Sequence, residues 1–222
     1  MDCIVSLTTW KGRINEPTLP RMIFKLLTQQ TEYNYKVVLV LSEEEFGKDY
    51  ILPEELSLLQ KHPNFEILWT YKNTKALKKL DPTMEKYPDL PIITLDDDDL
   101  CTTYTVQTMM DFHKKNPNKI IGTICGRYNN IMRVAGVRLF PPHSLANIPT
   151  EYFETYFNNL LDDEWNGIRA QIQGTECIKL NVKLIIKASY CNQKCAFRKE
   201  YNKFNFRSAY LKFKKEHPEY KL

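Results

Sequence analysis

The chain has 222 residues, with 31 Lys+Arg against 27 Asp+Glu for a net charge of +4, and 43% hydrophobic residues. This composition excludes a disordered, collagen-like or low-complexity chain and leaves room for one large domain or two small ones. The longest aliphatic run, Val37 to Leu41, is far short of the ~18 to 20 residues that cross a bilayer, and the start MDCIVSLTTW lacks the pattern of a secretory signal.

Apolar runs and helical patterns then alternate. Cys3 to Leu7 reads as a buried strand, and apolar positions 19, 22, 23, 26 and 27 mark a helix over the next segment. Lys36 to Leu41 is a second strand. Pro53 opens a helix at the position where a missing N–H costs nothing. Phe65 to Trp69 is a third strand, Thr74 to Lys86 a helix, and Pro91 to Leu95 a fourth strand. A helix over Thr103 to Lys115 and a strand over Lys119 to Cys125 follow. This alternation predicts an α/β domain with a mainly parallel sheet, whose ligands bind beyond the carboxyl ends of the strands.

The fourth strand ends in Asp96, Asp97, Asp98 and Asp99. Four adjacent carboxylates repel one another, more strongly in a low-dielectric crevice, and a divalent cation offsets that repulsion. Mg²⁺ or Mn²⁺ takes one or two carboxylates and leaves positions for water and phosphate oxygens. An EF-hand does not fit, because Leu100 and Cys101 fall where a ligand and a glycine are required. The six cysteines, at 3, 101, 125, 177, 191 and 195, have no finger-like spacing and read as reduced thiols. No G-x-G-x-x-G or Walker loop is present.

The stretches VSLTTWKGRI, LPRMIFKLLTQQ, KVVLVLSEEEF, IITLDDDDL, FPPHSL and LLDDEW stand in this order. Together they resemble bacterial glycosyltransferases of the GT-A fold, of the small type associated with lipopolysaccharide or capsule assembly. The chain departs from that family's pattern at Asp99 and Cys101. The resemblance implies a GT-A domain over 1–190, with a nucleotide-sugar half over about 1–100 and an acceptor half over about 101–190. It also implies a metal-dependent enzyme that moves a sugar from a nucleoside diphosphate sugar, a UDP-sugar by expectation, to a glycan or lipid-linked acceptor.

Residue by residue, the family's D-x-D motif falls on Asp96-Asp97-Asp98. Asp98 and Asp96 are then the metal residues, with Mn²⁺ or Mg²⁺ as cofactor, and Asp96 and Asp97 also face the nucleotide sugar. Thr8, Thr9 and Arg13 are expected at the base and ribose, and Lys79 at the diphosphate. The acidic pair Asp162 and Asp163 takes the place of the catalytic base, with Asp163 preferred and inversion the expected outcome. An Asp before a helix is also an ordinary N-cap. His143, in the turn Pro141-Pro142-His143-Ser144, and Trp165 are the acceptor-side candidates, against a structural turn and a core Trp. Gly136 is expected to mark a close backbone approach.

The charge divides by position. Residues 194–222 carry +6 and the remainder −2. Within this stretch, Phe197, Tyr201 and Phe204, and then Phe206, Tyr210 and Phe213, repeat at helical spacing among basic residues. A basic aromatic helical tail over 191–222 is therefore expected. It either packs on the domain or lies at a membrane surface. The slightly acidic body argues against nucleic acid as a partner. A cytoplasmic location, at the inner face of the membrane, goes with the family reading. The alternatives are a Mg²⁺-dependent phosphatase of the haloacid dehalogenase type and a non-catalytic nucleotide-binding or membrane-docking module.

Overall fold

The structure is a computed structural model and describes residues 1–128, 131–157, 162–187 and 206–220. Nine strands fall in these residues: β1 (Cys3–Thr8), β2 (Tyr35–Ser42), β3 (Phe65–Thr70), β4 (Ile92–Thr94), β5 (Leu100–Cys101), β6 (Ile120–Tyr128), β7 (Ile131–Phe140), β8 (Cys177–Lys179) and β9 (Ile185–Lys187). The helices are α1 (Thr18–Leu27), α2 (Glu43–Phe46), α3 (Glu54–Leu59), α4 (Asp81–Lys86), α5 (Thr105–Lys115), α6 (Thr150–Phe157), α7 (Asp162–Gln173) and α8 (Phe206–Glu216).

Seven strands form one sheet in the order β3-β2-β1-β4-β7-β6-β8. The run from β3 to β4 is parallel, as is β6 with β8, while β7 lies antiparallel to both neighbours. β5 and β9 form a separate two-stranded ribbon. The near-continuous apolar strands β1 and β2 are those of a sheet covered on both faces. Leu19, Ile23 and Leu26 of α1 and Val106 and Met109 of α5 pack with Val5, Leu7, Leu39 and Leu41 on one face. Leu80, before α4, and Ala170 of α7 pack with Ile4, Val38, Val40 and Phe140 on the other.

Two local features shape the site. The single helix expected over Thr74 to Lys86 is instead a 3₁₀ turn, Lys75–Lys79, followed by α4. Pro82 lacks an N–H and restricts the residue before it, so the helix restarts at Asp81. On β7, Gly136 has φ 73, and a Cβ there would lie 2.3 Å from Thr123 Oγ1. The close approach is a bulge between β6 and β7, where the Val137 N–H donates to Thr123 Oγ1 at 3.1 Å.

Of the predicted tail, the first aromatic repeat lies outside the described residues. The second is α8, whose Phe213 is fully buried. Phe213 sits 5.6 Å from the ring of Phe157 and 6.3 Å from that of Trp165. Tyr210 is buried in the same cluster, so these two aromatic residues face the protein. Among the described residues, no helix is long and apolar enough to cross a membrane.

Candidate active site

The aspartate run follows β4 at its carboxyl end, between the end of β1 and the segment of β7 around Arg138. Asp96 to Asp99 form a turn closed by the Asp99 N–H donating to the Asp96 carbonyl at 3.3 Å. The three carboxylates Asp96, Asp97 and Asp98 have different partners, and that difference sorts them.

Asp97 is held on both oxygens. Thr9 Oγ1 donates to Oδ2 at 2.7 Å, and Arg13 Nη1 donates to Oδ1 at 2.5 Å. Three residues expected at the nucleotide are thus bonded to one another, and they fix the loop after β1 to the aspartate turn. Burial raises the pKa of Asp97, even against the Arg13 charge. The Thr8 hydroxyl donates to the Val40 carbonyl at 2.7 Å and so ties β1 to β2.

Asp96 accepts from Lys79 Nζ and, at 3.2 Å, from Arg138 Nη2, both on Oδ1. Its side chain is 42% exposed, so the second oxygen remains for a ligand. Burial pushes its pKa up, but Lys79 and Arg138 outweigh this and hold the carboxyl well below the usual carboxylate range. Asp98 has one ion pair among the described residues, to Arg13 Nη2 at 3.4 Å.

Facing this turn is the first turn of α7. A helix N-terminus favours negative charge there, through its unpaired N–H groups and its dipole. Asp162 and Asp163 are the first two residues of α7, inside the helix rather than before it. Asp162 Oδ2 lies 2.9 Å from Lys79 Nζ and 2.6 Å from Arg138 Nη1. The same Nη1 reaches Asp163 Oδ1 at 2.6 Å, while Asp163 Oδ2 meets, among the described residues, the half-exposed Arg133 at 3.3 Å. Burial, with repulsion from Asp162 and Asp96, prevails over Arg138 and raises the Asp163 carboxyl to about 7. Lys79 is raised as well: burial and Arg138 oppose its charge, but Asp162 and Asp96 override them.

The fold brings Thr9, Arg13, Lys79, Asp96, Asp97, Asp98, Asp162 and Asp163 to one end of the sheet. Two expected residues are elsewhere. His143 follows β7, and because β7 is antiparallel its end at Phe140 pairs with Ile92 at the start of β4. The His143 side chain lies at the opposite edge from Asp96, 76% exposed and 4.0 Å from Asp89. Trp165 is 1% exposed among Phe153, Phe157 and Phe213, a core residue with no face toward an acceptor.

Sequence reasoning missed Arg138. The signal was an arginine inside the apolar strand VAGVRLF, which only a buried carboxylate partner explains. Lys78, beside Lys79, is buried as well and pairs with Glu45 at 2.7 Å. Burial lowers the Lys78 pKa, and Glu45 offsets only part of this.

The Asp98 carboxylate and the second oxygen of Asp96 have the hard oxygen chemistry that a divalent cation of the Mg²⁺ or Mn²⁺ kind would take. Among the described residues no group of three or more His, Cys, Asp and Glu side chains encloses a metal position. The remaining ligands would be phosphate oxygens and water, as is usual for these ions.

No protein-family model and no curated protein matches the sequence. Solved structures do match it in fold. TarS 1-349 of S. aureus in complex with UDP-GlcNAc aligns at TM-score 0.50 and 14% identity over 83% of this chain and 57% of that one. The mannosyltransferase PcManGT from Pyrobaculum calidifontis, in complex with GDP-Man and Mn²⁺, aligns at TM-score 0.55 and 12% identity, covering 84% of this chain and 56% of that one. A 4-diphosphocytidyl-2C-methyl-D-erythritol synthase aligns at TM-score 0.50 and 10% identity, covering 84% and 94%. The chain thus spans under two thirds of the length of TarS 1-349 and of PcManGT. At these identities the likeness is one of fold, and the fold is the GT-A fold of nucleotide-diphospho-sugar transferases.

Proposed function

We propose that the protein is a metal-dependent glycosyltransferase that uses a nucleoside diphosphate sugar, with a UDP-sugar as the favoured donor. The observation that carries this reading is the pairing of the aspartate turn after β4 with the carboxylates at the start of α7, across two buried cations. Neighbours in fold bind UDP-GlcNAc or GDP-Man with Mn²⁺, which supports the choice of donor class.

In this reading Asp98 and Asp96 would hold Mn²⁺ or Mg²⁺. The cation supplies positive charge to the departing nucleoside diphosphate. Thr9 and Arg13, anchored on Asp97, shape the loop that receives the nucleotide, and Thr8 fixes that loop to β2. Asp163 is the general base. Its Oδ2 takes the proton of the acceptor hydroxyl as that oxygen attacks the anomeric carbon, while Oδ1 stays on Arg138. A single base acting from one side of the sugar gives inversion.

The acceptor in this reading is a glycan or lipid-linked sugar in surface polysaccharide assembly, and the location is cytoplasmic, at the inner face of the membrane. Arg207, Lys212, Lys214 and Lys215 lie on the exposed side of α8, which supports peripheral contact with anionic lipid.

The test is a thermal-shift panel of nucleoside diphosphates with and without Mn²⁺, followed by assay of nucleoside diphosphate release from UDP- and GDP-sugars. Metal-dependent stabilisation and release are the expected results. Absence of metal-dependent stabilisation by every nucleotide refutes the reading. Binding without release points to a non-catalytic module, and a fluoride-trapped phosphoaspartate at Asp96 points to the phosphatase.

A further inference from the structure

We propose that Arg138 is a positioning residue, holding the base Asp163 at a set distance from the donor-side aspartate turn. The inference rests on the glycosyltransferase reading and adds a residue to it.

Arg138 is wholly buried on β7, directly opposite Thr94 at the end of β4. Its planar fork serves three carboxylates from two parts of the chain. Nη1 donates to Asp162 Oδ2 and Asp163 Oδ1, both at 2.6 Å, and Nη2 donates to Asp96 Oδ1 at 3.2 Å. Lys79 also contacts Asp96 and Asp162, so those two are already paired with a cation. One ammonium between two carboxylates leaves one negative charge, which Arg138 balances.

Beyond that charge balance, Arg138 reaches Asp163, which Lys79 does not pair with among the described residues. Among the described residues the other cation at Asp163 is Arg133, which is 43% exposed and lies 3.3 Å from the opposite oxygen. The orientation of Asp163 therefore comes from Arg138. A guanidinium can hold two directions at once because its donors are fixed in one plane, whereas an ammonium acts as a compact point charge. The scaffold on both sides is rigid. β7 is hydrogen-bonded to β4, and Gly167 lets α7 approach so closely that a Cβ would lie 1.7 Å from the Met132 carbonyl oxygen. The fork thus joins two elements that have little freedom to re-aim the base without it.

The experiment compares wild type, Arg138→Lys, Asp163→Asn and the double variant. It measures binding of UDP with Mn²⁺ and steady-state release of UDP from the UDP-sugar that the wild type turns over. Arg138→Lys is expected to keep UDP affinity and donor KM within about threefold while kcat falls about a hundredfold, because the loss lies in base geometry. Adding Arg138→Lys to Asp163→Asn is expected to cost less than about threefold more, since the arginine acts through that base.

A parallel loss of UDP affinity and kcat overturns the proposal, as does multiplicative loss in the double variant. If Arg138→Lys does not fold, the same comparisons use Arg138→Gln with Asp162→Asn, which removes one charge of each sign. A wild type that neither binds nor turns over any nucleotide sugar refutes the underlying reading. A wild type that does both, with Arg138→Lys retaining full kcat, refutes this inference alone.

Discussion

Asp96, on the turn after β4, and Asp162, the first residue of α7, are joined by the same two cations. Lys79 and Arg138 each contact both carboxylates, so the four side chains form a closed ring. Each member has two opposite charges as neighbours. The ring brings the acids after β4 and at the start of α7 together without direct repulsion dominating, and it places Asp163 at its edge.

The first prediction concerns the metal. Asp98→Asn leaves the ring intact and removes the carboxylate with the fewest protein partners. Its melting temperature without ligand is expected to stay near that of the wild type. The Mn²⁺-dependent stabilisation by UDP is expected to vanish; for a working site, a hundredfold excess over Kd is worth about 2.7 kcal/mol. Differential scanning fluorimetry reads both effects, and unchanged Mn²⁺ dependence removes Asp98 from the metal site.

The second concerns catalysis. Asp163→Asn is expected to lower kcat by roughly 10² to 10⁴, the range for loss of a general base. In the wild type, kcat is expected to rise with pH through about 7, where the Asp163 carboxyl ionises. A kcat that stays flat between pH 5 and 8 contradicts the assignment.

Stability should show the same group with the opposite sense. The Asp163 pKa is raised in the fold, so its contribution is fully present below the unfolded value and is lost as pH rises through about 7. Asp96 is depressed, so its contribution is present above the unfolded value and is lost as pH falls through the folded one. Melting curves from pH 4 to 8 are expected to decline more steeply for wild type than for Asp163→Asn between about pH 4 and 7, and to level off above about 7.

Packing gives a fourth prediction. Gly167→Ala places a methyl group against the Met132 carbonyl and is expected to cost about 1–3 kcal/mol or more through displacement of α7. Gly126→Ala, where no atom lies within 4 Å of the added Cβ, serves as the comparison and is expected to be near neutral. Urea melts of the two variants separate close packing from a general intolerance of substitution.

The fifth concerns α8. Phe213 is fully buried against Phe157 and Trp165, so Phe213→Ala is expected to destabilise by about 3–5 kcal/mol. A loose appendage would show almost no change in the same chemical melt.

The sequence alone determined what depends on neighbours along the chain. Apolar runs marked β1, β2, β3 and β4, helical spacing marked α1 and α5, and four consecutive aspartates at a strand end marked the site. Local sterics and burial set these features, and they leave a periodic trace. Only the tertiary structure decided direction and partnership. The apolar pattern of β7 reads the same in either orientation, yet its antiparallel run puts Arg138 at the aspartates and His143 at the far edge. Trp165 stands two residues after Asp163, and the 100° step of a helix turns it into the aromatic core while the acids face the cations. The four aspartates are chemically identical in the sequence. Asp96, Asp97 and Asp98 differ in the fold because each meets a cation that is distant along the chain, and Coulomb energy depends on separation in space.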